Sequence, residues 1–371
     1  VTVRILAETS PGEVRVAAVD GTTLVDYAIW RPGAPDGVGD LHRGRVTARV
    51  PAMAGAFVAL DGAEGFLPDS QGGAGVTEGQ AIGVRVTRAA QGGKGPRLTA
   101  LLDPVEAALA GTGPPALLRR GPDAVRRLAA LHPAAGVTVD DAGLAASLRT
   151  GLGERLEIAR PAWDEATAEQ AAALAEPSCT LPGGARASFH PTPALVAIDV
   201  DAGGATAARV GKAVLQLALN KDVLPALARQ IRLRNLSGAI LLDLAGMPAR
   251  KRVALGPALA AALDADPLRP RFMGFTALGL AEIVRPRVHP PLHEVLAGPH
   301  AAGLAALRAV AAGGRPAERP VLRASPAVAA ALDADPAALD ALARRIGAPT
   351  SIVVDPSLPP NAWSVAHDPT R

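Results

Sequence analysis

Three carboxylates draw a chemical reading first. The apolar run ALVAID closes on Asp199, Asp201 follows two residues on, and a second run, GAILLD, closes on Asp243. Uninterrupted apolar runs of this kind predict central strands buried on both faces. Ligands of open α/β sheets gather at the carboxyl ends of such strands. Two carboxylates there are hard oxygen donors that suit Mg²⁺, which takes few protein ligands and keeps its waters. A metal so placed polarises a phosphoryl oxygen and acidifies water. The plainer reading is a set of ordinary strand-end or capping aspartates, and the spacing leaves that open.

Cations crowd the same stretch. Arg229, Arg232 and Arg234 fall on or after one helical pattern, Arg250, Lys251 and Arg252 open a second, and Arg269, Arg271, Arg285 and Arg287 flank later strands. Such density suits a polyphosphate backbone, although each residue alone reads as part of a solvated face. Upstream, Phe57 and Phe66 lie in short strand-like segments, Lys94 sits in the loop QGGKGP, and Arg88 precedes it. Aromatics for stacking beside cations for phosphate describe the nucleic-acid face of an OB-fold. The competing reading packs both rings in a core. Other candidates are poorer. His289 and His293 share a Pro-rich loop with no nucleophile pattern, Cys179 is a lone small thiol, and Gly211-Lys212 lacks the flanking residues of a phosphate loop.

The elements that must position these groups follow from pattern. Residues 1–31 read as a β-meander with turns at SPGE and DGT. Residues 38–101 hold five short strands with glycine punctuation, a small closed barrel. An Ala-rich helical stretch with one strand, GVTVDD, and the segment LGERLEIAR fills 102–180. From 181 to 300 strand and helix alternate: ALVAID, a helix over 213–235, GAILLD, a helix from Pro248 to Asp264 with proline near its start, then RPRFMGF and GLAEIVRPR. A Gly-rich linker, AVAAGGRPAE, leads to a terminal unit with a helix at 325–345 and a strand SIVV.

Composition bounds the rest. The 371 residues allow two or three domains, and with aromatics at 2% the core must be Ala, Val and Leu. The formal charge is only +3 while the pI is near 9.5. Lys94, Lys212, Lys221 and Lys251 are the only lysines, so the basic surface is arginine, suited to bidentate phosphate recognition. A single cysteine excludes a disulfide framework and a CxxC metal site. No apolar signal region or membrane-length run is present, which predicts a cytoplasmic protein.

In order along the chain, LPGG, ALVAIDVDAGG, LPALARQIRLRNLSGAILLDLAGM and MGFTALGLAEIVRPR resemble the catalytic core of ribonucleases E and G. GDLHRGRVTARVPAMAGAFVAL with GFLPDS and QGGKGP looks like that family's RNA-binding barrel. The resemblance implies an α/β multidomain chain: an OB-fold barrel (38–101) inserted in an RNase H-like subdomain (1–37 and 102–180). A DNase I-like catalytic subdomain (181–300) and a small C-terminal subdomain (301–371) would follow. It implies that Asp199 and Asp243 bind catalytic Mg²⁺, that Phe57 and Phe66 contact bases, and that Lys94 and Arg88 contact the strand.

Three departures stand out. Asp201 replaces the family's usual Asn, so an acceptor replaces a donor. The stretch from 102 to 137 is too short for the 5′-monophosphate sensor, Ala277 stands where its arginine would be, and Asp140 and Asp141 follow. The cysteine pair of the zinc link is absent, which predicts a monomer or dimer rather than a zinc-linked tetramer. The expectation is a Mg²⁺-dependent endoribonuclease acting on single-stranded, AU-rich RNA without 5′-end sensing. The alternative is an RNA-binding protein with a degenerate nuclease centre. A phosphoesterase for small substrates is disfavoured by the barrel.

Overall fold

The computed structural model describes residues 3–202, 212–313 and 320–367. Residues 203–211, which include Gly211, and residues 314–319, part of the expected linker, lie outside the described residues. The chain divides into two compact units, one of 1–34, 124–286 and 291–371, the other of 35–123 with 287–290.

The chain begins with β1 (Val3–Ser10), β2 (Glu13–Asp20) and β3 (Thr23–Trp30), an antiparallel meander. Its turns pass through Gly12 and Gly21, both at positive φ. At Gly12 a side chain would also strike Leu304 and Ala338.

The second unit then forms. It comprises β4 (Leu41–Val50), β5 (Gly55–Ala59), β6 (Glu64–Pro68), β7 (Ala81–Arg88), β8 (Arg97–Thr99), α1 (Pro104–Ala110) and β9 (Ala116–Arg119). Pairing runs β4–β5–β6–β8–β7 and returns to β4, a closed five-stranded barrel of OB-like form. Its interior is Val46, Ala56, Val58, Leu67, Val84, Val86 and Leu98. Helix α1, capped by Asp103, lies against β7 and β4, and β9 extends β4 at the edge.

The first unit resumes with α2 (Ala124–Leu131), β10 (Gly136–Val139), α3 (Ala142–Leu152), β11 (Leu156–Ile158) and α4 (Glu165–Ala173). Strands β10 and β11 add in parallel beside β1, giving the order β11-β10-β1-β2-β3. Both faces of this sheet are covered: Ile5 and Ala7 join one core with Val125 and Leu148, while Leu6 and Val19 join another with Trp163.

The sheet that carries the carboxylates follows. Its elements are β12 (Ser178–Thr180), β13 (Arg186–Pro191), β14 (Val196–Asp201), α5 (Lys212–Leu233), β15 (Gly238–Asp243), α6 (Ala249–Arg252), α7 (Gly256–Leu263), β16 (Arg271–Phe275) and β17 (Ala281–Arg285). The order is β12-β13-β14-β15-β17-β16, with β14 and β15 parallel. Contrary to the expectation from hydropathy, ALVAID and GAILLD are not buried on both faces. Ile198 and Val200 alternate with exposed Asp199 and Asp201, and Ile240 and Leu242 are buried while Ala239 is exposed. The core that receives them comes from α5 and α7, through Val223, Leu227, Ile231, Leu259 and Leu263. Ala197, Ala239 and Leu241, partly or wholly exposed, thus lie on the face opposite α5 and α7, and the aspartates share it.

The segment expected as one helix from Pro248 to Asp264 is α6 and α7 joined by a 3₁₀ turn over Val253–Leu255. After α8 (Leu292–Val295), α9 (Gly298–Gly313) occupies the start of the supposed linker. The last part contains β18 (Pro320–Ala324), α10 (Pro326–Asp333), α11 (Pro336–Ile346), β19 (Ser351–Val354) and β20 (Trp363–His367). The single helix expected at 325–345 is therefore two. Ser325 caps the first, and Asp335, followed by Pro336, caps and restarts the second. Among the described residues no helix is long and apolar enough to cross a membrane.

Candidate functional site

Strand register brings the carboxylates together. Asp199 and Asp243 are direct partners across β14 and β15, and neighbouring strands lie about 4.8 Å apart. Both lie on the face opposite α5 and α7. Asp199 is exposed and has no partner among the described residues, while the Asp243 side chain is about half exposed. Asp201, also exposed, is the register partner of Arg186 on β13, and Arg186 donates to Ser178 Oγ.

Arg252 is the group that sequence reading undervalued. Its guanidinium donates to Asp243 Oδ1 and to Gly279 O (3.0 Å), and its Nε donates to Met247 O (2.9 Å). It thereby ties the end of β15 to two loops and leaves Asp243 Oδ2 without a partner among the described residues. Asn220 was not singled out at all. Fully buried on α5, it donates to Ala245 O (2.9 Å) and accepts from Ala245 N (3.1 Å), so the turn after Asp243 is pinned to the helix. In the sequence it stands one turn after Gln216, at the head of the apolar face that runs through Val223, Leu227 and Ile231. Gly279 sits so close to Ala249 that an added Cβ would lie 2.7 Å from the Ala249 Cβ, which fixes the loop bearing Ala277 against α6.

The donor set can be tested against Mg²⁺. Both groups are carboxylates, adjacent, in register, and open to water, as an ion that retains several waters requires. Against this, Arg252 already neutralises part of Asp243, and among the described residues no group of three or more His, Cys, Asp or Glu is arranged to hold a metal. The site fits two protein carboxylates with water completing the shell.

Three of the ten cations in this stretch are taken up by the scaffold. Arg234 is buried against the Phe189 ring (4.4 Å) and donates to Ala173 O and Glu176 O. Arg232 reaches Val25 O and Ala265 O and pairs with Asp26. Arg285 is buried in an ion pair with Asp266 and bonds Asn235. These arginines hold backbone together and are closed to a ligand. Arg252, by contrast, meets one of the two carboxylates directly.

Asp140 and Asp141 are also structural: Asp140 accepts from the Thr9 amide and hydroxyl, and Asp141 caps α3. Burial pushes the Cys179 thiol up despite Arg234, Arg186 and Arg229 nearby, so it stays protonated and is a poor nucleophile. His289 pairs with Asp36 in the barrel unit, whereas His293 belongs to the other unit.

On the barrel, Phe57 and Phe66 are partners across β5 and β6, with rings 5.6 Å apart at 66°. Neither belongs to the interior; both are partly exposed, out of phase with buried Ala56 and Val58. Lys94 is exposed in a tight turn closed by the Gln91–Lys94 bridge, with Gly92 and Gly93 at positive φ. Arg88 ends β7, where an extra residue between Val86 and Arg88 shifts the register.

Fold and site together define a class: an α/β protein with a carboxylate pair at the ends of adjacent parallel strands and an OB-like barrel as its second unit. Sequence comparison narrows this. Residues 152–288 match the model of the Ribonuclease E/G family, a segment that holds Asp199, Asp201, Asp243 and Arg252. The chain is 34% identical to Ribonuclease E of Nostoc sp. over 121 residues, 32% of this chain and 18% of that protein. It is 36% identical to Ribonuclease G of Escherichia coli K12 over 111 residues, 28% of this chain and 22% of that protein. The aligned stretch thus spans about a fifth of these relatives, and the barrel lies outside the family match.

Proposed function

We propose that the chain is an endoribonuclease of the E/G type that cleaves single-stranded RNA, with Mg²⁺ held by Asp199 and Asp243. The observation that carries this is the register of these two residues on the open face, inside the family-matched segment. When bound, the ion supplies Lewis-acid polarisation of the scissile phosphate and acidifies water for attack. Asp199 and Asp243 would hold it, and Arg252 orients Asp243 through Oδ1. Asp201, when ionised, accepts hydrogen bonds and donates none, so it takes no part as a donor to the phosphoryl oxygens. The products would be a 5′-phosphate and a 3′-hydroxyl.

In this reading the first sheet is RNase H-like, the second DNase I-like, and Phe57, Phe66, Arg88 and Lys94 bind the RNA. The protein reads no 5′-monophosphate, forms no zinc-linked tetramer, works as a monomer or dimer, and acts in cytoplasmic RNA processing or decay. A second reading, an RNA-binding protein with a degenerate centre, is favoured by Asp201 and by the ion pair that occupies Asp243.

Labelled single-stranded RNA incubated with Mg²⁺ or with EDTA separates the two. Cleavage that needs Mg²⁺ is expected. Asp199→Asn and Asp243→Asn should each reduce it by about a thousandfold or more, since losing a ligand charge removes several kcal/mol of transition-state stabilisation. RNA affinity should be retained. Full cleavage by both variants would place the centre elsewhere; binding without cleavage in the unaltered protein would support the second reading.

A further inference from the structure

One lateral row of side chains crosses the outside of the barrel. Phe57 on β5 partners Phe66 on β6, Phe66 partners Arg97 on β8, and Arg97 partners Arg88 on β7. Partners in a sheet project to the same side, so two rings and two guanidiniums stand in line across four strands, each step about 4.8 Å. The row exists because of the bulge on β7. Val84 and Val86 point into the barrel, and strict alternation would send Arg88 in after them. The extra residue, Thr87, whose hydroxyl donates to Arg97 O (3.1 Å), turns Arg88 outward instead. A third guanidinium, Arg287, adds its charge to that of Arg88. The segment 287–290 belongs to the barrel unit, where the Ala89 amide donates to Val288 O (2.9 Å).

What sets Arg88 and Arg97 apart is their lack of counter-charge. Other arginines of the barrel unit have acceptors. Arg85 and Arg119 share Glu106, Arg49 pairs with Asp69, Arg120 with Asp40, and Arg43 and Arg45 donate to backbone carbonyls. Arg88 and Arg97 have no acceptor among the described residues, and the Arg88 Nε is buried without one. Burial, followed by the Arg97 and Arg287 charges, lowers the Arg88 pKa below the ordinary arginine value. Setting two guanidiniums side by side with no carboxylate on either is unfavourable unless an anion is to be received.

We propose that Arg97 and Arg88 form a clamp for an internal phosphodiester of a single strand whose bases lie on Phe57 and Phe66. The proposal rests on the RNA-binding reading above and adds to it one residue, Arg97, and a division of labour within one row. Rings take bases, and the guanidiniums at the end of the row take the backbone.

The test is fluorescence anisotropy with the full chain and a 3′-labelled 5′-hydroxyl RNA, without metal, from 50 to 200 mM salt. Removing a cation that neutralises one phosphate should flatten the salt dependence by about 0.7 in log–log slope, or about 2.6-fold in affinity ratio across that range. Arg97→Ala and Arg88→Ala should each show this, Arg97→Ala with unchanged thermal stability, and Arg97→Lys should recover part of it. Arg149→Ala, an equal charge change at an exposed position on α3, should not. Unchanged slopes in Arg97→Ala and Arg88→Ala, with Phe57→Ala still weakening binding, would overturn the clamp and leave the RNA reading standing. No RNA binding by the unaltered protein would overturn both. An affinity gain from a 5′-phosphate that disappears in Arg97→Ala would assign the cluster to a strand end rather than to an internal phosphodiester.

Discussion

Two sets of arginines behave in opposite ways. Arg232, Arg234 and Arg285 lie close in sequence to the carboxylate strands, yet each is consumed by carbonyls or a carboxylate within the scaffold. Arg88 and Arg97 sit on different strands of the barrel, yet they meet on one surface and take no acceptor from the described residues. Density along a sequence does not measure density of available charge. What counts is whether the fold supplies each cation with an acceptor, and a pattern of residue types does not carry that information.

If the contrast holds, variants in the two sets should fail in different assays. Arg285→Ala leaves Asp266 buried without its partner, and loss of one member of a buried pair costs about 3–5 kcal/mol. Chemical denaturation should register that loss, while the salt dependence of RNA binding by the folded fraction stays unchanged. Arg234→Ala strips Ala173 O and Glu176 O of a charged donor, a loss of about 1.5–3 kcal/mol in stability. Wild-type stability in both variants would break the comparison.

On the barrel the signs reverse. Phe57→Ala and Phe66→Ala should weaken RNA binding by about 1–3 kcal/mol if bases stack there, with little change in melting temperature because neither ring lies in the interior. Unfolding without a selective binding loss would return both rings to a packing role. The smallest expected effect is none. Cleavage rates for 5′-monophosphate, 5′-hydroxyl and 5′-triphosphate RNAs should coincide. A tenfold preference for the monophosphate, about 1.4 kcal/mol, would require some cationic group to read the strand end.

Much of this was legible in the sequence. The strands of the meander and barrel could be read because glycine turns and alternation are local signals, and the aspartates because they end apolar runs. The one-sidedness of β14 and β15 could not. Ala197, Ala239 and Leu241 are apolar on the face opposite α5 and α7, and hydropathy cannot tell a partly exposed apolar residue from a buried one. Arg252 looked like one of three adjacent basic residues, and only the folded turn shows which of them meets Asp243. Arg97 was invisible for a different reason: its neighbours Arg88 and Phe66 come from other strands, and a single extra residue at Thr87 decides which way Arg88 faces.

The pairing of β1 with β10 bears on how the protein is made. Arg4 and Gly136 are partners, and the whole barrel is encoded between them. At about 5–20 residues per second, a ribosome needs roughly 7–26 s to deliver the second after the first. During that interval the nascent meander exposes the edge of β1, a row of unpaired amides and carbonyls of the sort that recruits other strands. The barrel strands, by contrast, find all their partners within residues 41–119. Translation therefore leaves the first-made sheet as the last of the two to be sealed, and conditions that slow elongation between these points will bear most heavily on β1.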